Sequence, residues 1–468
     1  MTGEAAAPAP QRPGDALPRT TLLLYAAPMM GFMLAGMPIS MWFGKFSTDT
    51  LLIPASAMGL IIMFGRLWDG ISDPMAGYLS DKTRSRWGRR RSWMRAAALP
   101  MAVALVALWS PPASLGQTGT IVWLAVAYIL WETASTGLVV PYAALGFELT
   151  PDYHERTRLF TWRHLGTVPA YGGSLGLLYL LRTSAEAGPA EGRTMATGLA
   201  VAAGATLAAV TFLAATRLPE PTHHQGRGGS NPFDAFADVL RNPHARLLLV
   251  VFAVESFGMG TIGFIAPYLM DDVLHRSDQL EIVLACWMVP QFLMAPLWLR
   301  LSRRLSKKRL VLFGMGLYGF GFLANWWAVA GPDWLIFANV ILLGMAGGLL
   351  AVVSPSIQAD VVDYDEYTTG ERKEGAYTAL WNLLRKGGWA ASAGMAGIAL
   401  ELSGYDGHAT EQVAAVKTTI VVFVSLFPAA AYAIGSLVFA RFSLNQAEHA
   451  ALRAEIERRR AIATGGKP

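Results

Sequence analysis

The sequence predicts an all-α membrane protein with twelve transmembrane helices in two six-helix halves. Three observations lead to this fold class: an apolar composition, twelve apolar segments of membrane-spanning length, and a basic loop that recurs at the same place in each half. Of the 468 residues, 53% are hydrophobic and only 15% are charged. Soluble domains carry about 25% charged residues, so lipid is the expected solvent for much of the helical surface.

Each apolar segment is long enough to cross a bilayer core of about 30 Å, which takes roughly 20 helical residues. The first half of the chain holds six of them, near residues 21–43, 52–80, 94–112, 119–146, 159–182 and 194–215. The second half holds the other six, near residues 246–271, 279–302, 309–330, 333–358, 374–402 and 415–441.

These segments define the predicted domain organisation. The two halves span residues 21–216 and 246–441, and a polar linker joins them over residues 217–245. The Ala- and Pro-rich residues 1–20 are predicted to form a disordered N-terminal tail, and residues 442–468 a solvated helical C-terminal tail.

Positive charge sets the predicted orientation. The loop after the second segment contains Lys82, Arg84, Arg86, Arg89, Arg90, Arg91 and Arg95. The loop after the eighth contains Arg300, Arg303, Arg304, Lys307, Lys308 and Arg309. Because cations stay on the cytoplasmic side, these loops and both termini are predicted to be cytoplasmic, in a bacterial-type plasma membrane. The equivalent positions of the two loops indicate repeated halves.

Two carboxylates lie inside the second segment. Asp69 and Asp73 are spaced i,i+4 and share a helix face with Arg66. Asp69 lies about 16 Å from the segment end at Ser80, close to the bilayer midplane. Ionisable groups there are costly unless they are paired or hydrated, and they mark ion pathways.

One carboxylate can pair with Arg66, and the second then needs a proton or a metal cation. The Ser72 hydroxyl and the Gly70 carbonyl, which receives no hydrogen bond from Pro74, add oxygen ligands. The sequence therefore predicts a coupling-cation site. The alternative is a structural Arg66–Asp69 pair, with Asp73 solvated in a cytoplasmic vestibule.

Other polar residues lie in predicted membrane segments. Glu132 and Thr136 are spaced i,i+4 in the fourth segment and could face the second. Arg163 and His164 lie in the fifth, where the histidine serves either as a hydrogen-bonded core residue or as a proton relay. Lys386 in the eleventh needs a counter-ion, for which the carboxylates of the second segment are candidates.

Three stretches resemble the signatures of a known family. They are "RLWDGISDP" with the following "TRSRWGRRRSW", "VPYAALGFELTPDYHERTRL" (Val140–Leu159), and "ADVVDYDEYTTGERKEGAY" continued by "RKGG" (Ala359–Gly388). In this order they resemble the glycoside–pentoside–hexuronide:cation symporters of the major facilitator superfamily. The similarity covers residues 21–441 and implies the fold of that superfamily.

The resemblance also implies roles for particular residues. Asp69 and Asp73 match the family's paired cation-site aspartates, and Thr136 matches its cation-site threonine. Ser72 stands where the melibiose permease has an asparagine. The remaining matches are a charged neighbour of the cation site, Lys386, and a cytoplasmic gate made of Arg86, Arg90, Asp360 and Asp363.

The expected sugar-binding carboxylates are absent. Met33 and Val139 stand where the melibiose permease has the aspartates that hold sugar hydroxyls. An apolar pocket wall is expected there instead, since methionine adapts to varied shapes. The predicted substrate pocket consists of Met33, Glu132, Val139, Arg163 and His164.

The predicted function is symport of a sugar or glycoside by alternating access, coupled to Na⁺ or H⁺. The alternatives are symport of an amphipathic or hydrophobic small molecule, such as a lysolipid, and proton-driven export. The sequence has no nucleophile elbow, phosphate loop or metal-ligand spacing, so no enzyme activity is predicted. The expected partners are a small-molecule substrate, the coupling cation and the lipid bilayer. No cofactor and no nucleic acid are expected, and the chain is predicted to be a monomer.

Overall fold

The computed structural model describes residues 16–150, 153–220, 239–302, 304–370, 374–444 and 446–463. Within these ranges the chain is built from helices and connecting turns, with no β-strand, which confirms the all-α prediction. The chain divides into two compact units, Met1–Gly229 (unit 1) and Ser230–Pro468 (unit 2). The division falls within the predicted linker.

Unit 1 contains six long helices. They are α1 (Arg19–Met41), α2 (Ala55–Lys82), α3 (Arg89–Trp109), α4 (Gln117–Glu148), α5 (Tyr153–Ala187) and α6 (Pro189–Arg217). The turns before α3 and α6 use glycines with positive φ, Gly88 (+97°) and Gly188 (+142°), a conformation that side chains with a Cβ rarely adopt.

Unit 2 repeats this pattern and adds a C-terminal helix. Its helices are α7 (Pro243–Tyr268), α8 (Leu280–Leu293 and Ala295–Ser302), α9 (Lys307–Ala328), α10 (Asp333–Thr369), α11 (Glu374–Leu402), α12 (Ala414–Val424 and Leu426–Phe439) and α13 (Gln446–Ala463). Asn242 caps α7, because its side-chain oxygen accepts from the backbone N–H groups of His244 and Ala245. Its amide also donates to Tyr377 on α11 at 2.9 Å.

Nine helical segments in the described part of the chain are long and apolar enough to cross a membrane. Three further helices, α2, α5 and α11, have 28, 35 and 29 residues and so are also long enough. These three carry most of the ionisable residues that the sequence marked inside membrane segments: Arg66, Asp69, Asp73, Arg163, His164 and Lys386. These charged and polar side chains lower the hydropathy of the three helices.

Several boundaries differ from the predicted ones. Leu17 is buried and its N–H donates to Glu155 at 2.8 Å, so the ordered chain begins before residue 21; residues 1–15 lie outside the described ones. Helix α5 begins at Tyr153 rather than 159, and α10 continues to Thr369 rather than 358. Hydropathy marks only the apolar part of a helix, and these helices continue with polar ends.

The C-terminal helix is not simply solvated. On α13, Ile456 is buried, and the Arg459 guanidinium donates to the Tyr367 carbonyl at 2.9 Å and lies 4.8 Å from that ring. Hydrogen bonds from Arg458 and Arg459 lower the pKa of Glu455 to about 2. One side of α13 therefore packs on α10 while the other faces solvent.

Candidate functional site

Helices α2 and α4 approach closely at the level of the candidate site. A Cβ on Gly65 would lie 2.3 Å from ring carbons of Tyr128, so only glycine fits there without movement of the ring. Nearby, Trp68 Nε1 donates to the Thr133 hydroxyl at 2.8 Å. These contacts fix the register of the two helices. Asp69 lies near the middle of α2, which spans Ala55–Lys82.

The four predicted cation-site residues come together across this interface. The Thr136 hydroxyl donates to Asp73 Oδ1 at 2.8 Å and lies 3.5 Å from Asp69 Oδ1. It also lies 3.2 Å from the Ser72 hydroxyl. Asp69, Ser72 and Thr136 are buried and Asp73 is half-buried. Two carboxylates and two hydroxyls thus converge, an all-oxygen set of the kind that hard cations prefer.

Arg66 lies beside this cluster and bridges two carboxylates. Its Nη1 is 3.6 Å from Asp69 Oδ2 and 3.4 Å from Glu132 Oε1. A role for Glu132 in substrate recognition stays a prediction; the structure places its side chain in the charged cluster, 2% exposed, facing α2 as its spacing from Thr136 predicted. The reason is its position one turn before Thr136, on the face of α4 that packs against α2.

The other predicted pocket residues are spread over three helices. Met33 on α1 and Val139 on α4 are half-buried, and the Met33 carbonyl accepts from Ser174 at 3.0 Å. On α5 the Arg163 guanidinium lies 4.8 Å from the Phe160 ring, and His164 is exposed. Their role in substrate recognition stays a prediction.

Lys386 lies on α11 in unit 2 and is half-buried. Two residues later, a Cβ on Gly388 would lie 2.9 Å from backbone atoms of Ala253 and Phe257, so α11 and α7 approach closely here. Its function as a neighbour of the cation site stays a prediction.

The predicted gate arginine Arg90 is part of a buried ion network at one end of unit 1. It donates to Ser80 at 2.6 Å, to Asp81, and to Glu148 at 3.3 Å. Arg89 donates to the same Glu148 oxygen at 2.6 Å. The network ties the start of α3 to the ends of α2 and α4.

Glu220 adds a contact that the sequence did not reveal. Its carboxylate accepts from the backbone N–H groups of Arg90 at 2.7 Å and Arg91 at 3.1 Å, at the N-terminus of α3. An anion there also interacts favourably with the helix dipole. The residue lies in the predicted linker, where no local pattern distinguishes it. Arg86, by contrast, is exposed and lies 5.0 Å from the Trp87 ring.

The acidic residues of the predicted gate, Asp360 and Asp363, have partners on two other helices. Asp360 accepts from Lys307, the first residue of α9, at 2.6 Å. His449 Nε2 on α13 lies 3.0 Å from Asp363 Oδ2 and 3.5 Å from Asp360 Oδ1. The sequence did not predict the contact of His449 with these aspartates, because it depends on the packing of α13 against α10.

Similarity to known proteins extends along most of the chain. A profile of the family described as MFS/sugar transport protein matches residues 24–446. The isoprimeverose transporter of Lactiplantibacillus pentosus is 26% identical over 376 residues, 78% of this chain and 77% of that protein. The sodium-dependent lysophosphatidylcholine symporter 1-B of Danio rerio is 24% identical over 462 residues, 91% of this chain and 87% of that protein.

A similar fold is found among solved structures. The crystal structure of a D-xylose-proton symporter matches with a TM-score of 0.64 at 14% identity, covering 91% of this chain and 97% of that one. This agreement concerns the fold. Together with the family match over residues 24–446, it confirms the prediction of a major facilitator superfamily architecture. With its apolar helices, the chain is a multi-pass membrane protein with a small-molecule substrate. The chain belongs to the MFS/sugar transport protein family, and the predicted relationship to the glycoside–pentoside–hexuronide:cation symporters is confirmed.

Proposed function

We propose that this protein is a cation-coupled symporter whose coupling ion binds to Asp69, Ser72, Asp73 and Thr136. The observation that carries the proposal is the Thr136 hydroxyl, which lies within 3.5 Å of oxygens from all three other side chains. Carboxylates in the middle of a membrane helix are costly as free charges. A cation that binds there offsets this cost and joins α2 to α4.

Such a site can couple ion and substrate binding. Because the ligands belong to two helices, the bound ion stabilises one arrangement of α2 against α4. A substrate that prefers the same arrangement then binds more tightly, and by reciprocity it tightens ion binding equally, typically by about 1–3 kcal/mol.

Sodium fits the donor set better than a proton does. A proton is held by one carboxylate oxygen and needs no additional ligands, whereas Na⁺ takes several oxygens. The hydroxyls of Ser72 and Thr136 would then serve as ligands. The lysophosphatidylcholine symporter of Danio rerio is named sodium-dependent, which also supports Na⁺ as the coupling ion.

We propose a sugar or glycoside as the transported substrate. The family description names sugar transport, and the Lactiplantibacillus relative is named an isoprimeverose transporter. The proposal includes uptake into the cell across a bacterial-type plasma membrane. It also includes a monomeric protein whose two termini are both cytoplasmic.

An amphipathic substrate is the second candidate, and one observation favours it. Met33 and Val139 are apolar at the positions where sugar-binding aspartates were expected. The lysophosphatidylcholine symporter matches 91% of this chain, and the isoprimeverose transporter matches 78%. An apolar pocket wall would suit an acyl chain better than a row of hydroxyls.

Reconstituted proteoliposomes test the proposal. Uptake of radiolabelled pentosides, hexosides and lysophosphatidylcholine is measured under an inward Na⁺ gradient, an inward H⁺ gradient, or neither. We expect Na⁺-driven accumulation of one class, abolished by Asp73→Asn. Asp333→Asn is the matched control, since this aspartate pairs with Arg276 and is 53% exposed. Uptake that is unchanged in Asp73→Asn would refute the coupling site, and substrate-driven proton movement in the opposite direction would indicate an exporter.

A further inference from the structure

Arg66 stands between two buried carboxylates. Its Nη1 lies 3.6 Å from Asp69 and 3.4 Å from Glu132, whose side chains are 4% and 3% exposed. A guanidinium stays protonated in proteins, so its charge has to be matched throughout a transport cycle.

Asp69 faces two different groups with its two oxygens. Oδ2 points to Arg66, while Oδ1 lies 3.5 Å from the Thr136 hydroxyl in the candidate cation site. A carboxylate that is engaged by a guanidinium attracts a second cation less strongly, because the two positive charges repel each other. Arg66 and the coupling cation therefore compete for Asp69.

Glu132 has the geometry to relieve this competition. Its Oε1 is buried and makes no hydrogen bond among the described residues, and this is the atom that faces Arg66. The close packing of α2 on α4 here is possible because position 65 is glycine: a Cβ there would overlap the ring of Tyr128, which lies one turn before Glu132. A second acceptor for the guanidinium is thus held in place on α4, one turn before Thr136.

We infer that Glu132 is a positioning residue that takes over Arg66 when the coupling cation binds to Asp69. The inference rests on the proposed function. Without the cation, Arg66 is shared between the two carboxylates. With the cation bound, Arg66 pairs with Glu132, and Asp69 is left to the ion. Glu132 therefore raises cation affinity through Arg66 rather than as a cation ligand.

A double-mutant cycle tests this mechanism. The Na⁺ concentration that half-maximally raises the unfolding temperature of the purified protein is measured for each variant. Glu132→Gln is expected to need about tenfold more Na⁺, because Arg66 then pairs with Asp69 alone. In a protein that already carries Arg66→Gln, Glu132→Gln is expected to change this half-maximal Na⁺ concentration by less than about twofold.

A purely electrostatic influence of Glu132 on the ion would give the same loss in both backgrounds and would overturn the inference. An unchanged Na⁺ requirement in Glu132→Gln would overturn it as well. If Glu132→Gln does not fold, Glu132→Asp carries the test: its shorter carboxylate lies further from Arg66, and we expect a loss of about threefold only where Arg66 is present.

Asp73→Asn separates this inference from the proposed function. If Asp73→Asn responds to Na⁺ as the wild type does, the cation site itself is wrong and the inference falls with it. If Asp73→Asn loses the response and Glu132→Gln keeps it, only the role of Glu132 is wrong.

Discussion

Helices α2 and α4 carry two charged clusters, one near mid-helix and one at the helix ends, whose carboxylates have different partners. Near mid-helix, Asp73 accepts from a threonine hydroxyl, and Arg66 lies 3.4–3.6 Å from two carboxylates. At the ends of the same helices, Glu148 binds two buried arginines, Arg89 at 2.6 Å and Arg90 at 3.3 Å.

Under the proposed function, the two clusters have separate tasks. The end cluster is an ion network with short bonds, and breaking such a network is costly because it leaves a charge buried without its partner. It fixes where α2, α3 and α4 meet. The middle cluster presents oxygens around a hydroxyl, an arrangement in which a cation can bind and leave. Stability should therefore depend on the end cluster and ion dependence on the middle one.

Removing Arg90 should have the largest effect on stability. Arg90→Ala deletes the donor to Ser80, Asp81 and Glu148 and should cost about 3 kcal/mol of unfolding free energy. Unfolding experiments in mild detergent measure this loss of stability. Na⁺ should still raise the unfolding temperature of Arg90→Ala. Arg86→Ala, at an exposed site, is the control and should change stability by less than about 0.5 kcal/mol. Equal losses in both variants would contradict a special role for the end cluster.

Asp73→Asn should show the reverse behaviour. The amide oxygen can still accept from Thr136, so the unfolding temperature without Na⁺ should stay close to that of the wild type. The Na⁺ requirement should rise at least about 100-fold, equivalent to about 2.7 kcal/mol, because the charge that attracts the ion is gone. A variant that is destabilised but keeps its Na⁺ response would show that Asp73 is structural.

Gly65→Ala tests whether the α2–α4 spacing builds the middle cluster. The new methyl group would lie 2.3 Å from Tyr128, so overpacking should cost about 1–3 kcal/mol and weaken Na⁺ binding together with stability. Gly198→Ala is the matched control, since nothing lies within 4 Å of a Cβ there. The control should be neutral or slightly stabilising, as alanine favours helices more than glycine does. An unaltered Na⁺ response in Gly65→Ala would contradict the importance of this spacing.

The smallest change concerns one hydroxyl. Thr136→Val keeps the shape of the side chain but removes the hydrogen bond to Asp73, and it should weaken the Na⁺ response about tenfold, or about 1.4 kcal/mol. Thr136→Ser restores the hydroxyl and should return most of the affinity. The same Na⁺ titration measures both, and equal behaviour of valine and serine would exclude the hydroxyl as a ligand.

The helices were predictable because apolar length is a local property of the sequence. Each long helix overlaps a predicted segment, and the errors lie at polar ends such as residues 359–369 of α10. The meeting of Asp69, Asp73 and Thr136 followed from i,i+4 spacing together with the family resemblance. Asp69 and Asp73 share one face of α2, and Thr136 lies on the face of α4 that contacts it. The prediction of the cluster therefore required only that α2 packs against α4.

Contacts that depend on helix register or on distant segments were not predictable. Glu132 shares the spacing of Thr136, but its distance from Arg66 depends on how closely α2 packs on α4, where a Cβ on Gly65 would overlap the Tyr128 ring. The Glu220 cap and the His449–Asp363 contact join parts of the chain that lie 130 and 86 residues apart. No periodicity within one segment specifies such partners.

Equilibrium binding of ²²Na⁺ to the purified protein tests the central claim most directly. Wild type, Arg90→Ala and Asp73→Asn are compared at one pH and ionic strength, with choline replacing Na⁺. We predict saturable binding to the wild type and to folded Arg90→Ala, and none to Asp73→Asn over the same concentration range. Saturable binding to Asp73→Asn with wild-type affinity would contradict the assignment of the coupling ion to the α2–α4 cluster.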